Sequence, residues 1–85
     1  MKEFSYTITD PLGIHARPAG LLVKCTKGYD SEILLCKGDR CANAKRLLSV
    51  MGLGIRTGDH VSFRITGIDE DVAQAGIEQF CREAL

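Results

Sequence analysis

Eighty-five residues, 45% hydrophobic and 26% charged, have the make-up of one globular domain over residues 1–85 and leave no room for a second core. The formal charge is zero, which argues against a general nucleic-acid binder, because such domains are strongly basic. No apolar run reaches the roughly 18 residues of a membrane span, and Met1-Lys2-Glu3-Phe4-Ser5 holds no signal-peptide segment, so a cytoplasmic protein without membrane insertion is expected.

Phe4-Ser5-Tyr6-Thr7-Ile8-Thr9 alternates apolar and polar residues, the period-two pattern of a strand with one buried face. Asp10-Pro11-Leu12-Gly13 supplies the turn that ends it. A helix is predicted from Ala16 to Lys27, with Ala19, Leu22, Val23 and Thr26 at i, i+3, i+4 and i+7 facing the core. Gly28 suits a left-handed stop. Glu32 to Lys37 reads as a second strand, with Ile33 and Leu35 on one face and Leu34 and Cys36 on the other. Gly38-Asp39 is a two-residue hairpin turn, and Arg40 to Ala44 the returning third strand. This register pairs Lys37 with Arg40 and Cys36 with Cys41. Cysteines opposed at a non-hydrogen-bonded pair sit about 4.5 Å apart at Cα, near the short limit for a disulfide.

Lys45 to Met51 is predicted as a short helix broken by Gly52 and Gly54. Val50 and Leu53 can turn inward, whereas Leu47, Leu48 and Met51 share another face and are not easily buried with them. After a turn at Thr57-Gly58-Asp59, Val61, Phe63 and Ile65 alternate with Ser62, Arg64 and Thr66 as a fourth strand, with His60 at its surface end. Asp69-Glu70-Asp71 starts the last helix with charges that complement its dipole. Ala73, Ile77, Phe80 and Ala84 form its stripe, with Cys81 toward the core. The order β-α-β-β-α-β-α predicts an α+β open-faced β-sandwich, a four-stranded antiparallel sheet with three helices on one face.

The cysteines, Cys25, Cys36, Cys41 and Cys81, are irregularly spaced, and no Cys-x-x-Cys occurs. Neither His15 nor His60 lies near a cysteine pair. Reduced thiols and no structural metal are therefore expected, Cys36 and Cys41 included, on the outer face of the sheet.

Gly13-Ile14-His15-Ala16-Arg17-Pro18-Ala19 concentrates the chemistry. Neutral imidazole is a good nucleophile near pH 7, its ordinary pKa being about 6.5. Attack on a phosphoryl donor makes a phosphohistidine, whose labile P–N bond suits onward transfer and whose phosphate carries close to two negative charges. With His15 as the N-cap, the backbone N–H groups of Ala16 and Arg17 point at that phosphate. The guanidinium of Arg17 can bind two of its oxygens. Pro18 lacks an N–H where the first turn needs none.

This heptapeptide resembles the active-site signature of the HPr family, the histidine-containing phosphocarriers of the bacterial phosphoenolpyruvate-dependent sugar phosphotransferase system. The resemblance covers essentially the whole chain: the element order, Lys24, Lys27-Gly28 before the second strand, and the segment from Ala44-Lys45 to Leu53-Gly54. It implies that His15 accepts a phosphoryl group from phosphorylated enzyme I, whose donor is phosphoenolpyruvate, and passes it to IIA domains of sugar permeases. Arg17 would stabilise the phosphate and contact both partners. The protein would be a monomeric carrier and not an enzyme, with no cofactor. Docking would use the first and second helices, here Lys24, Lys27, Lys45, Arg46, Leu47, Leu48 and Met51. Three apolar side chains edged by lysines make a small patch suited to a transient partner; the alternative is that they complete the core.

Many family members from low-GC Gram-positive bacteria carry a regulatory serine at the start of the second helix, which a kinase phosphorylates. Arg46 stands there, so the kinase branch is expected to be absent, and Ser49, one turn on, is out of register. Arg46 adds positive charge that favours acidic partners by steering. A regulatory binding module of the same fold is the alternative function, but such a module needs no acceptor histidine, so His15 with Arg17 favours the carrier. A stand-alone enzyme finds no support: there are no paired carboxylates and no Walker-type phosphate loop.

Overall fold

The computed structural model describes residues 1–85 as β1 (Lys2–Thr7), α1 (Ala16–Thr26), β2 (Glu32–Lys37), β3 (Arg40–Asn43), α2 (Leu47–Met51), β4 (His60–Thr66) and α3 (Glu70–Ala84). The strands form one antiparallel sheet in the order β1-β4-β2-β3. Register places Ile33 against Ile65, and Phe63 between Leu35 and Phe4. Ile33, Leu35, Val61, Phe63 and Ile65 thereby share one face and are all buried. The stripes of α1 (Ala19, Leu22, Val23, Thr26) and α3 (Ala73, Ile77, Cys81) close over that face. Each large apolar side chain so removed from water contributes about 1.5–3 kcal/mol. Thr26, the polar member of the stripe, donates its hydroxyl to the carbonyls of Val23 (3.0 Å) and Ala44 (2.7 Å), so its burial leaves no polar group unsatisfied. The opposite face presents Ser5, Ser62 and the Arg64–Glu3 ion pair at 2.9 Å, as an open-faced sandwich requires.

Several boundaries differ from expectation for identifiable reasons. β1 ends at Thr7, because Ile8 N–H bonds the Asp59 carbonyl (3.0 Å) and the N–H groups of Thr9 and Asp10 both bond that of Leu85 (2.7 and 3.0 Å). These contacts draw the chain off the sheet toward the end of α3. Gly28 does not take the predicted left-handed conformation; positive φ belongs to Gly13, Gly38, Gly54, Gly58 and Gly67. The end of α1 tightens instead, with Gly28 N–H on the Cys25 carbonyl (3.2 Å) and Tyr29 N–H on that of Thr26 (3.1 Å). α2 begins at Leu47 and not at Lys45. Asn43 receives Lys45 N–H on Oδ1 (2.9 Å) and Arg46 N–H on its carbonyl (3.0 Å), which holds Lys45 in a turn and leaves Arg46 extended as the N-cap.

The expectation of reduced thiols at Cys36 and Cys41 is overturned: the two form a disulfide. The two-residue turn at Gly38-Asp39 makes Lys37–Arg40 the first cross-strand pair and Cys36–Cys41 the next. Their side chains emerge on the same face with Cα atoms 4.0 Å apart, shorter than the usual span of a disulfide. Cys36 is only 2% exposed. Cys25 and Cys81 remain free thiols.

Candidate functional site

The loop before α1 is fastened at three points. Asp10 Oδ1 accepts Leu12 N–H (2.8 Å), the Asp10 carbonyl accepts Gly13 N–H (2.9 Å), and the Ile55 carbonyl accepts Ile14 N–H (3.1 Å). Gly13 has φ +65°, and a Cβ there would lie 2.5 Å from the Ile55 oxygen and 2.7 Å from Arg56 Cα, so only glycine lets the two loops touch. Ile14 is buried and pins the next residue from below.

His15 is therefore delivered as the N-cap of α1, extended at φ −91° and ψ −174°. Its carbonyl takes the first helical bond, from Ala19 N–H at 3.0 Å, while its side chain makes no capping bond and is half-buried. Ala16 and Arg17 lie in the first turn, exposed, where N–H groups have no intrahelical partner. Pro18 is buried and packs the first turn down. The Arg17 guanidinium is exposed, and no carboxylate pairs with it. An imidazole, two free N–H groups, a helix N-terminus and an uncommitted guanidinium so converge at one place, an arrangement suited to an anion.

His15, Arg17 and Pro18 line a shallow depression together with Asp10, Leu21 and Ala84, of which the sequence offered Asp10 only as a turn residue and Ala84 only as part of a core stripe. Leu21 stands one helical turn beyond Arg17, so the period of α1 carried a signal for it. Nothing local points to Ala84. It arrives because Leu85 bonds back to Thr9, 76 positions away.

Of the predicted docking residues, Lys24 and Lys27 on α1 and Arg46 before α2 are exposed. Leu47 (40%), Leu48 (83%) and Met51 (39%) face solvent, while Val50 (1%) and Leu53 (4%) point inward, so the apolar trio does not complete the core. Lys45 stands apart from the rest. It is half-buried and donates its ammonium to the Tyr29 carbonyl at 2.6 Å, stitching the end of α1 to the start of α2. His60 is exposed with Nδ1 2.8 Å from Thr7 Oγ1, on the open face. Burial pushes the Cys81 thiol up to about 12 and raises that of Cys25 as well, which disfavours the thiolate at both. No helix is long and apolar enough to cross a membrane.

Comparison with known proteins agrees with this geometry. Residues 2–83 match the family model described as the PTS HPr component phosphorylation site. The phosphocarrier protein HPr of Lysinibacillus sphaericus is 42% identical over 73 residues, covering 86% of this chain and 83% of that protein. A crystal structure of HPr from Thermoanaerobacter tengcongensis superposes with a TM-score of 0.94 at 32% identity, covering 99% of this chain and 94% of that one. Crh, a catabolite repression protein of Bacillus subtilis whose crystal structure is a dimer with a swapping domain, gives a TM-score of 0.78 at 28% identity, covering 100% and 98%. Strand order, helix placement and sequence all agree, and the chain belongs to the HPr family of phosphocarrier proteins.

Proposed function

We propose that His15 is the phosphoacceptor, loaded by phosphorylated enzyme I at the expense of phosphoenolpyruvate and unloaded by IIA domains of sugar permeases. An imidazole nitrogen attacks phosphorus with its lone pair as the bond from phosphorus to the donor breaks. The reverse displacement at the next protein regenerates free His15. Catalysis in the sense of a substrate pocket is not required; each partner brings its own reacting group. The observation that carries this reading is the placing of an unengaged imidazole at the start of α1, beside the free N–H groups of Ala16 and Arg17 and the unpaired Arg17 guanidinium.

The helix terminus stabilises the added charge by about 0.3–1 kcal/mol, rising to about 2 where partly buried. A charge-assisted bond from Arg17 is worth about 1.5–3 kcal/mol. The exposed trio Leu47, Leu48 and Met51, edged by Lys24, Lys27 and Arg46, is the docking face. The carrier acts as a monomer in the cytoplasm, with Arg46 in place of a regulatory serine. Incubation with enzyme I and labelled phosphoenolpyruvate is expected to give an acid-labile, alkali-stable label, absent from His15→Ala. Arg17→Ala should slow loading by about ten- to a hundredfold, the equivalent of 1.5–3 kcal/mol. A wild-type chain that takes no label overturns the proposal.

A further inference from the structure

The basic side chains divide into two sets. Lys2, Lys37, Arg64 and Arg82 pair with the carboxylates of Asp71, Asp59, Glu3 and Glu78, and Arg40 and Lys45 donate to the carbonyls of Gly52 and Tyr29. Arg17, Lys24, Lys27, Arg46 and Arg56 are exposed and have no such partner. Four of these belong to the site and docking face already described. The fifth, Arg56, has been given no role.

Its position is closely defined. The carbonyl of Ile55 holds Ile14 N–H at 3.1 Å, and Arg56 Cα would lie 2.7 Å from a Cβ built on Gly13. The backbone of Ile55 and Arg56 is therefore pressed against the two residues that precede His15. Arg56 N–H is held by Asp59 Oδ2 (2.8 Å), and the same carboxylate oxygen takes the Lys37 ammonium (2.9 Å). The nearby Asp59 carboxylate feels the Arg56 charge but takes Lys37 as its ion-pair partner, so Arg56, exposed and with its backbone against Gly13, has no salt bridge or side-chain hydrogen bond of its own. The one carboxylate lining the His15 depression, Asp10, accepts Leu12 N–H. The uncommitted cations of a chain of zero formal charge thus lie on α1 (Arg17, Lys24), at its end (Lys27), at the start of α2 (Arg46) and, in Arg56, next to the loop that carries His15.

We infer that Arg56 is a specificity-determining contact of the transfer reaction, flanking His15 on the Gly13 side and meeting an acidic surface of the protein that donates the phosphoryl group. The inference rests on the carrier function proposed above. Its support is charge complementarity: unpaired cations at a rim draw in acidic partners and set the encounter rate and its salt dependence, with little effect on the step that follows.

The test uses the full chain with enzyme I and labelled phosphoenolpyruvate, varying carrier concentration at low and high salt. Arg56→Glu should lower kcat/KM about tenfold at low ionic strength with kcat within about twofold, and the difference should shrink to about twofold or less near 1 M salt, where the Debye length is about 3 Å. Arg56→Gln, which keeps the backbone bond to Asp59, should show a smaller loss of the same kind and serves if the glutamate variant fails to fold. Arg82→Glu, on α3, should leave transfer unchanged. Equal kcat/KM for wild type and Arg56→Gln at every salt concentration overturns the inference while leaving His15 as acceptor. So does a loss in kcat accompanied by faster hydrolysis of the isolated phosphorylated variant, which would make Arg56 a ligand of the phosphate itself. No label on the wild-type chain defeats the carrier reading instead.

Discussion

Asp69 stands where a carboxylate would be expected to serve the first turn of its own helix, and it serves another element. Its oxygens take the N–H groups of Asp30 (2.8 Å) and Ser31 (2.9 Å) and the Ser31 hydroxyl, fastening the entry of β2 to the start of α3. Gly67 permits the approach: at φ +158°, a Cβ there would lie 2.6 Å from Ser31 Cα. The Ser31 hydroxyl and then the Asp30 N–H hold Asp69 below the usual carboxylate range. The Lys37 ammonium does the same for Asp59, and Gly67 N–H for Glu70. A carboxylate with a folded pKa below its unfolded value of about 4 contributes stability that is present above that value and is lost as pH falls through the folded one. Asp69→Asn should therefore be less stable than wild type at pH 7, with the gap narrowing as pH falls below about 4, as urea unfolding at pH 7 and in acid would show. A gap of equal size at both would mean that Asp69 acts by shape alone. The acidic run at 69–71 was visible in the sequence, but the partner of Asp69 was not, because it lies 38 positions away and only the sheet register brings it near.

Among the elements, α2 shows most clearly what local pattern can and cannot decide. Five residues are far too few for a helix to persist alone, so α2 exists because Val50 and Leu53 are buried beneath it. The division of its faces followed from the spacing of apolar residues. Its start did not, since one side chain, Asn43, captures the N–H of Lys45 before the helix can begin. Lys45 then donates its ammonium to the Tyr29 carbonyl, which ties the start of α2 to the end of α1. Leu48→Glu should leave stability within about 0.5 kcal/mol, as for other exposed sites, while slowing phosphoryl transfer about tenfold. Thermal unfolding and the labelled-phosphate assay check the two halves, and an unfolded variant would move Leu48 into the core.

In the whole molecule, the sheet edge at β3 is tied by Cys36–Cys41. The bond closes a loop of only a few residues, so its entropic contribution is about 2 kcal/mol at most. Reduction should lower stability by about 1–2 kcal/mol in urea titrations, with circular dichroism unchanged. Because the bond lies on the face of the sheet away from α1, the rate of labelling at His15 should be the same in both redox states. A rate that changes on reduction would couple the hairpin to the site.

The sequence by itself determined the order of elements, the inward faces of the strands and of α1, the hairpin register and the succession of His15, Ala16, Arg17 and Pro18 at the start of α1. Each of these follows from side-chain period or turn chemistry within a few residues, where backbone sterics and solvent act directly. Tertiary structure alone decided that Cys36 and Cys41 bond, that Asp69 reaches Ser31, that Ala84 lines the depression at His15, and that Arg56 rests against Gly13. The last three depend on segments brought together by strand pairing and helix docking over long stretches of chain, which no local pattern encodes. The disulfide is nearer at hand: the hairpin register sets the two thiols opposite each other at a short separation, and what that register left open, whether they are oxidised, the structure answers with a bond.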